Sequence, residues 1–234
     1  MAKNVALLLA AGSGSRMQES TADKILTPIA GEPVVCYSVR AFISSGVCNQ
    51  ITIVYKDSQQ RKNLEAAIAS IDFDYTWVQG GKERQDSVHN ALQSLSKGCD
   101  FVFIHDCARP LISAKAIQDL YTSVKINSAC VLAHRVSDTI KRVPSAKLDK
   151  PNEIEDLDRS RLWAMETPQV FSYTKICEAY SKVIADKVSV TDDCAAASYV
   201  NIDCSIVTSD EPNPKITTAA DLDYITWLIE RRQP

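Results

Sequence analysis

The sequence predicts an α/β fold, a mostly parallel sheet flanked by helices. Apolar, β-rich runs recur at Val5–Leu9, Ile51–Tyr55, Tyr75–Val78, Phe101–His105, Ala129–Ala133 and Ser205–Thr208. Most are separated by stretches of helical periodicity, the pattern of strand–helix–strand units. The polar clusters Gly12 to Arg16, Gly80 to Ser87 and His105 to Arg109 follow directly on strand runs. In open parallel sheets, ligands collect at those carboxyl ends.

In chain order, Val5–Leu9 reads as a short buried strand and Val34–Ser45 as the first helix. Ser58–Ile71 follows the second strand, with a serine or aspartate suited to capping its start. Asp86–Leu95 comes after the double glycine at Gly80 and Gly81, with Asp86 or Ser87 as its N-cap. Helices over Ala114–Ile126, Tyr173–Lys187 and Ala219–Arg231 complete the alternation, and Thr191-Asp192-Asp193 reads as the capped start of a short helix, Cys194–Tyr199. Ser137 to Trp163 breaks the pattern: it is charge-rich, carries Pro144 and Pro151, and has no sustained apolar stripe. A segment that cannot bury itself yet returns to Leu162-Trp163 reads as an arm that packs on a partner.

The chain has 234 residues, 45% of them hydrophobic, enough for one well-packed domain spanning 1–234 with the arm as an excursion. A formal charge of −3 gives no global attraction to nucleic acid or to an anionic membrane, so any anion site is local. The chain enters its first strand without a signal-like leader and has no run of membrane-spanning length, which predicts a cytoplasmic protein. Eight cysteines are scattered without a Cys-x-x-Cys pair, a pattern of buried reduced thiols rather than a zinc site.

Three segments carry candidate chemistry. Ala10-Ala11-Gly12-Ser13-Gly14-Ser15-Arg16-Met17 lets backbone N–H groups approach an anion, and Arg16 and Lys24 add positive charge. The spacing matches neither the P-loop nor the dinucleotide fingerprint, because Met17 stands where a third glycine belongs. Asp106 sits at a strand tip beside Arg109, where one carboxylate and substrate phosphates suffice for Mg²⁺, although an Asp106–Arg109 ion pair would explain the same residues. Gly80 and Gly81 let the chain pass close to a flat ligand such as a base, with Arg84 and Ser87 placed to read it; a plain capped turn is the alternative. Lys215 lies between Pro214 and a helix cap at Thr218.

Taken together, L-L-A-A-G-x-G-x-R-M at 8–17, Lys24, G-G-x-E-R-x-D-S-V at 80–88, H-D-x-A-R-P at 105–110, D-T-I-K at 138–141, D-R-x-x-L-W at 158–163, T-P-Q-x-F at 167–171, T-D-D at 191–193 and K-I-T at 215–217 resemble the 2-C-methyl-D-erythritol 4-phosphate cytidylyltransferases over almost the whole chain. The resemblance implies a Rossmann-like nucleotidyltransferase sheet. It also implies Mg²⁺-assisted transfer of a cytidylyl group from CTP to methylerythritol phosphate, with release of pyrophosphate, in non-mevalonate isoprenoid synthesis. By matching position, Arg16, Lys24 and Lys215 resemble the catalytic cations. Ala10, Ala11, Gly12, Gly14, Gly80, Gly81, Arg84 and Ser87 resemble the nucleotide pocket, and Asp106 the metal ligand. Asp106, Arg109, Thr139, Arg159 and Thr167 resemble the acceptor contacts. Thr139 and Arg159 lie on the arm, which in the family crosses to a second subunit, so a homodimer is implied.

Four positions depart from the family pattern. Asp23 stands where proline is usual, Ile25 where glutamine is common, Lys82 where an acidic residue is frequent, and Cys107 where a small residue is found. Cys107 would offer an oxidation or alkylation handle beside the metal. The nearest alternative is a ribitol 5-phosphate cytidylyltransferase, against which H-D-C-A-R-P and D-R-S-R-L-W speak. A catalytically silent nucleotide-binding protein is another, and it would have no reason to keep Arg16, Lys24, Asp106 and Lys215 together.

Overall fold

A computed structural model of the chain describes residues 3–12, 23–96, 98–143 and 154–232. Its elements follow in the order β1 Asn4–Leu9, β2 Pro28–Ile29, β3 Glu32–Pro33, α1 Val34–Ser45, β4 Gln50–Tyr55, α2 Ser58–Ile68, β5 Tyr75–Gln79 and α3 Arg84–Ser94. Then come β6 Phe101–Asp106, α4 Ala114–Asn127, β7 Ala129–Arg135, β8 Lys141–Arg142, β9 Glu155–Asp156, a 3₁₀ turn at Arg159–Arg161, β10 Trp163–Ser172, α5 Tyr173–Ala185, α6 Asp193–Tyr199, β11 Ser205–Val207 and α7 Ala219–Arg232.

Seven strands form one sheet in the order β11-β7-β10-β6-β1-β4-β5. β1 pairs in parallel with β4 on one side and β6 on the other. The chain therefore builds outward from β1 through β4 to β5, then returns to β1's other side, which makes the crevice beyond β1 and β6 the place for a ligand. Alternation along β1 serves both faces. Ala6 and Leu8 join α1, α2, α4 and α7 on one side, while Val5 and Leu7 join α3, α5 and α6 on the other. Both faces are covered, which is why these strands read as unbroken apolar runs.

The expected strands and helices are present, with boundary corrections that have local causes. α2 stops at Ile68 rather than Ile71; Ile71 is buried from a turn whose N–H reaches the Ile68 carbonyl at 2.8 Å, so it mimics helical periodicity without being helical. α3 starts at Arg84 because Glu83 and Asp86 form a capping box, so the cap is Glu83 and not Asp86 or Ser87. α5 ends at Ala185, ahead of Lys187 with φ of 56°.

The largest omission is β10, which runs antiparallel between β6 and β7. Its segment W-A-M-E-T-P-Q-V-F-S mixes polar residues and a proline into what becomes an inner strand, and the ladder shifts register between Met165 and Gln169. The arm's described parts hold only the β8–β9 pair and the 3₁₀ turn.

Cys107 also needs correction. It is fully buried in the core beneath the β6 tip, and burial pushes its thiol well above the ordinary range. An apolar, un-ionised thiol is inert, so Cys107 is not a handle beside the site. In the folded protein Cys107 should stay unmodified by iodoacetamide while the partly exposed Cys177, Cys194 and Cys204 react first. Peptide mapping before and after denaturation checks this, and labelling of native Cys107 at the rate of those three would refute it.

Candidate active site

The carboxyl ends of β1, β4, β5 and β6 surround a cleft of about 540 Å³. From β1 come Leu9, Ala11 and Gly12; from the turn before β2, Lys24 and Ile25; from β4, Lys56. The loop from β5 into α3 supplies Gly81, Lys82, Glu83, Arg84 and Ser87, and the far wall is Asp106, Ala108, Lys215 and Thr217.

Asp106 is the hub. Its Oδ1 accepts Arg84 Nε at 3.2 Å and its Oδ2 accepts Lys215 Nζ at 2.6 Å. The Arg84 guanidinium continues to Asp193, donating Nη1 to Oδ1 at 3.1 Å and Nη2 to Oδ2 at 2.8 Å. Asp193 is fully buried and also accepts the Tyr180 hydroxyl at 2.6 Å. Two carboxylates and two cations thus alternate, Asp193–Arg84–Asp106–Lys215, which a buried site tolerates only because each charge is paired. Burial alone would raise the Asp106 carboxyl, but Arg84 and Lys215 outweigh it and hold it well below the carboxylate range. Burial likewise disfavours the Arg84 charge, and Asp193 and Asp106 more than restore it.

Beneath Asp106, Thr167 of β10 locks the strand tip. Its hydroxyl oxygen accepts the Asp106 N–H at 3.0 Å and lies 3.0 Å from His105 Nδ1. His105 Nε2 is 3.2 Å from the Arg109 carbonyl, which only accepts, so Nε2 carries the proton and the Thr167 hydroxyl donates to Nδ1. Burial draws the His105 imidazole down to about 4.

The structure gathers Ala11, Gly12, Lys24, Gly81, Arg84, Ser87, Asp106 and Lys215 around the cleft. Ala10 is buried behind it, and Gly80 ends the loop's approach. The glycines serve packing: a Cβ at Gly80 would stand 2.8 Å from both Ala11 Cβ and Ser87 Oγ, and one at Gly81 would collide with Asp86. Ser87 closes the same loop, accepting Gly81 N–H at 3.0 Å and donating to the Glu83 carbonyl at 3.1 Å. Arg109 does not pair with Asp106; it turns away to donate to the Asn213 carbonyl at 2.7 Å, anchoring the loop that carries Lys215. Thr139 and Arg159 are not among the residues lining this cleft, and Arg159 lines a separate open hollow with Arg135, Ser137 and Asp158. Gly14 and Arg16 lie outside the described residues.

Asp193 was not anticipated as a site residue. The sequence carries it in the T-D-D motif at 191–193, but a second aspartate directly after the capping Asp192 is also an ordinary first-turn acid, and that local reading gives it no site role.

The sequence pattern of the 2-C-methyl-D-erythritol 4-phosphate cytidylyltransferases matches residues 4–231. The chain belongs to that family. A relative so named from Dictyoglomus thermophilum is 36% identical over all of this chain and 99% of its own length, and one from Synechococcus elongatus is 33% identical over 97% and 96%. Among solved structures, the Francisella tularensis 2-C-methyl-D-erythritol 4-phosphate cytidylyltransferase superposes with a TM-score of 0.79 at 26% identity, covering 97% of this chain and 99% of that one. An Anaerococcus prevotii 4-diphosphocytidyl-2C-methyl-D-erythritol synthase shares the fold with a TM-score of 0.84 at 22% identity, covering 98% and 99%.

Two predictions follow from the charge array and its support. Asp193→Ala leaves Arg84 without its bidentate partner and should cost about 3–5 kcal/mol in urea unfolding; a loss under about 1 kcal/mol would contradict the pairing. His105 is neutral in the fold down to about 4, whereas the unfolded imidazole takes its proton near pH 6.5. The unfolded state therefore binds more protons between these values, and stability should fall as pH drops from about 6.5 to about 4. His105→Gln should flatten that part of the stability–pH curve, and an unchanged slope would show that His105 is not its source.

Proposed function

We infer that this cleft carries out the reaction for which the family is named, transfer of a cytidylyl group from CTP to the phosphate of 2-C-methyl-D-erythritol 4-phosphate. An acceptor phosphate oxygen forms a bond to the α-phosphorus of CTP, the bond from that phosphorus to the β-phosphate oxygen breaks, and pyrophosphate leaves. The observation that carries the reading is the convergence of Lys24, Lys215 and Arg84 on a cleft with no imidazole among its described lining residues. A phosphomonoester is mostly dianionic near neutral pH and needs no general base to attack. What the step requires is positive charge that brings two anions together and balances the charge developing on the reacting and departing oxygens. Lys215 stands against Asp106 ready for the α-phosphate, Lys24 for the triphosphate, and Arg16, by its place in the motif, adds to that grip. Gly12, Gly14, Gly80, Gly81 and Ser87 shape the nucleoside side.

The residues also suit Mg²⁺. Asp106 is held ionised at the strand tip, and among the described residues no cluster of three acidic, histidine or cysteine side chains competes to cage a metal. A single carboxylate with substrate phosphates is the arrangement Mg²⁺ favours. Bound there, it would neutralise triphosphate charge and polarise the leaving group.

The reading includes a homodimer in which the arm of one protomer reaches its partner's acceptor site; in its support, Arg159 lines a hollow separate from this cleft and Thr139 is not among the cleft's lining residues. The reading takes residues 1–234 as one catalytic domain with an excursion over about 137–163. It also takes the protein as cytoplasmic; no helix among the described residues is long and apolar enough to cross a membrane.

Lys24→Ala and Lys215→Ala should each lower turnover by about 10²–10³-fold, the scale of losing one charge-stabilising donor, with an unchanged circular dichroism spectrum. Near-normal turnover in either would refute its role. Arg159→Ala should raise KM for the acceptor and spare CTP affinity; the reverse pattern in a titration would remove Arg159 from the acceptor site.

A further inference from the structure

Asp23 departs from the family pattern and the mechanism above does not use it. Its surroundings give it a task. Gln60, the third residue of α2, is 5% exposed and spends every polar atom of its side chain. Its Oε1 accepts the Lys56 N–H at 2.6 Å, while Nε2 donates to the Ala10 carbonyl at 3.0 Å and to Asp23 Oδ2 at 2.5 Å. This orients the amide uniquely, because a flipped carboxamide would set N–H against N–H and oxygen against two oxygens. Gln60 is itself seated by its backbone N–H on the capping Asp57 carboxylate at 2.8 Å.

On the other side, Asp23 Oδ1 accepts the Ile25 N–H at 3.1 Å, and the Asp23 carbonyl accepts the N–H groups of Leu26 at 2.9 Å and Thr27 at 3.0 Å. Lys24 lies inside this turn, followed by Ile25 buried in the core. The Lys24 ammonium donates to the Ile216 carbonyl at 3.1 Å, next to Lys215. A carboxylate one residue before a phosphate-gripping lysine would oppose anion binding if it faced the cleft. Here both of its oxygens are engaged, Oδ2 by the Gln60 amide and Oδ1 by the Ile25 N–H, and Asp23 is not among the residues lining the cleft.

We propose that Gln60 and Asp23 form a latch that joins the end of β1 to the Lys24 turn and thereby sets the position of Lys24 toward the triphosphate. Both are positioning residues, and the proposal rests on the role given to Lys24 above. A long, four-rotor side chain acts on a phosphate only when its base is fixed, and a displacement of about 1 Å costs up to about 10²-fold in rate.

The test is steady-state kinetics with varied CTP and fixed acceptor. Asp23→Ala and Gln60→Ala should each raise KM for CTP about tenfold or more while KM for the acceptor stays within twofold. The double variant should be no worse than the poorer single, because both act through one hydrogen bond. Gln60→Glu sets two carboxylates against each other, and adding Asp23→Asn should restore part of the CTP affinity by exchanging the amide and the acid. A residue that served folding alone would lower the thermal midpoint and leave this KM pattern untouched. CTP KM within twofold of the parent in both single variants, or losses that simply multiply in the double variant, would overturn the latch. If Lys24→Ala itself keeps normal turnover, the role of Lys24 fails. If Lys24→Ala is inactive while both latch variants keep the parental CTP KM, only the latch fails.

Discussion

A carboxylate buried at the tip of the central sheet imposes the arrangement around it. Asp106 ends β6, beside β1, with little contact with water, and an isolated charge there would be untenable. Arg84 arrives from the head of α3 and Lys215 from the loop before α7 to pair with it. Arg84 in turn brings in the fully buried Asp193 from the head of α6. Elements from across the chain are thereby tied together at one point. The same pairing leaves cationic groups already ordered beside the cleft before any substrate arrives, which is the condition for strong electrostatic stabilisation of a developing charge.

The sheet supplies the rest of the geometry. Because β1 has parallel neighbours on both sides, the loops after β1, β4, β5 and β6 open at the same edge. The antiparallel β10 contributes from below, its Thr167 hydroxyl fixing the Asp106 backbone and the His105 tautomer. Thr167 is thus committed to holding the strand tip in place. Arg109 has a comparable part, since its guanidinium secures the loop that presents Lys215. Thr167 and Arg109 therefore bear on the cleft by holding the segments that present Asp106 and Lys215 to it.

The parallel strands and most helices were legible because they are long, apolar and separated by clear caps, and the cleft was legible because glycines and charges follow directly on those strands. β10 was not, since Glu166, Thr167, Pro168 and Gln169 interrupt its apolar run, and their burial depends on partners distant in sequence. Asp193 and Gln60 escaped for a related reason. An acid in the first turn of a helix and a glutamine near a helix start are unremarkable locally, and only the fold brings Arg84 to the one and Asp23 to the other. The Asp106–Arg109 pair suggested by proximity in sequence gives way to Arg84 and Lys215, which are 22 and 109 residues away.

The most direct test of the account is pyrophosphate release by the purified protein with CTP and Mg²⁺, comparing 2-C-methyl-D-erythritol 4-phosphate with ribitol 5-phosphate as acceptor. The account predicts rapid release that depends on methylerythritol phosphate, with ribitol 5-phosphate a poor substitute. Release favouring ribitol 5-phosphate, or none with either acceptor, would contradict it.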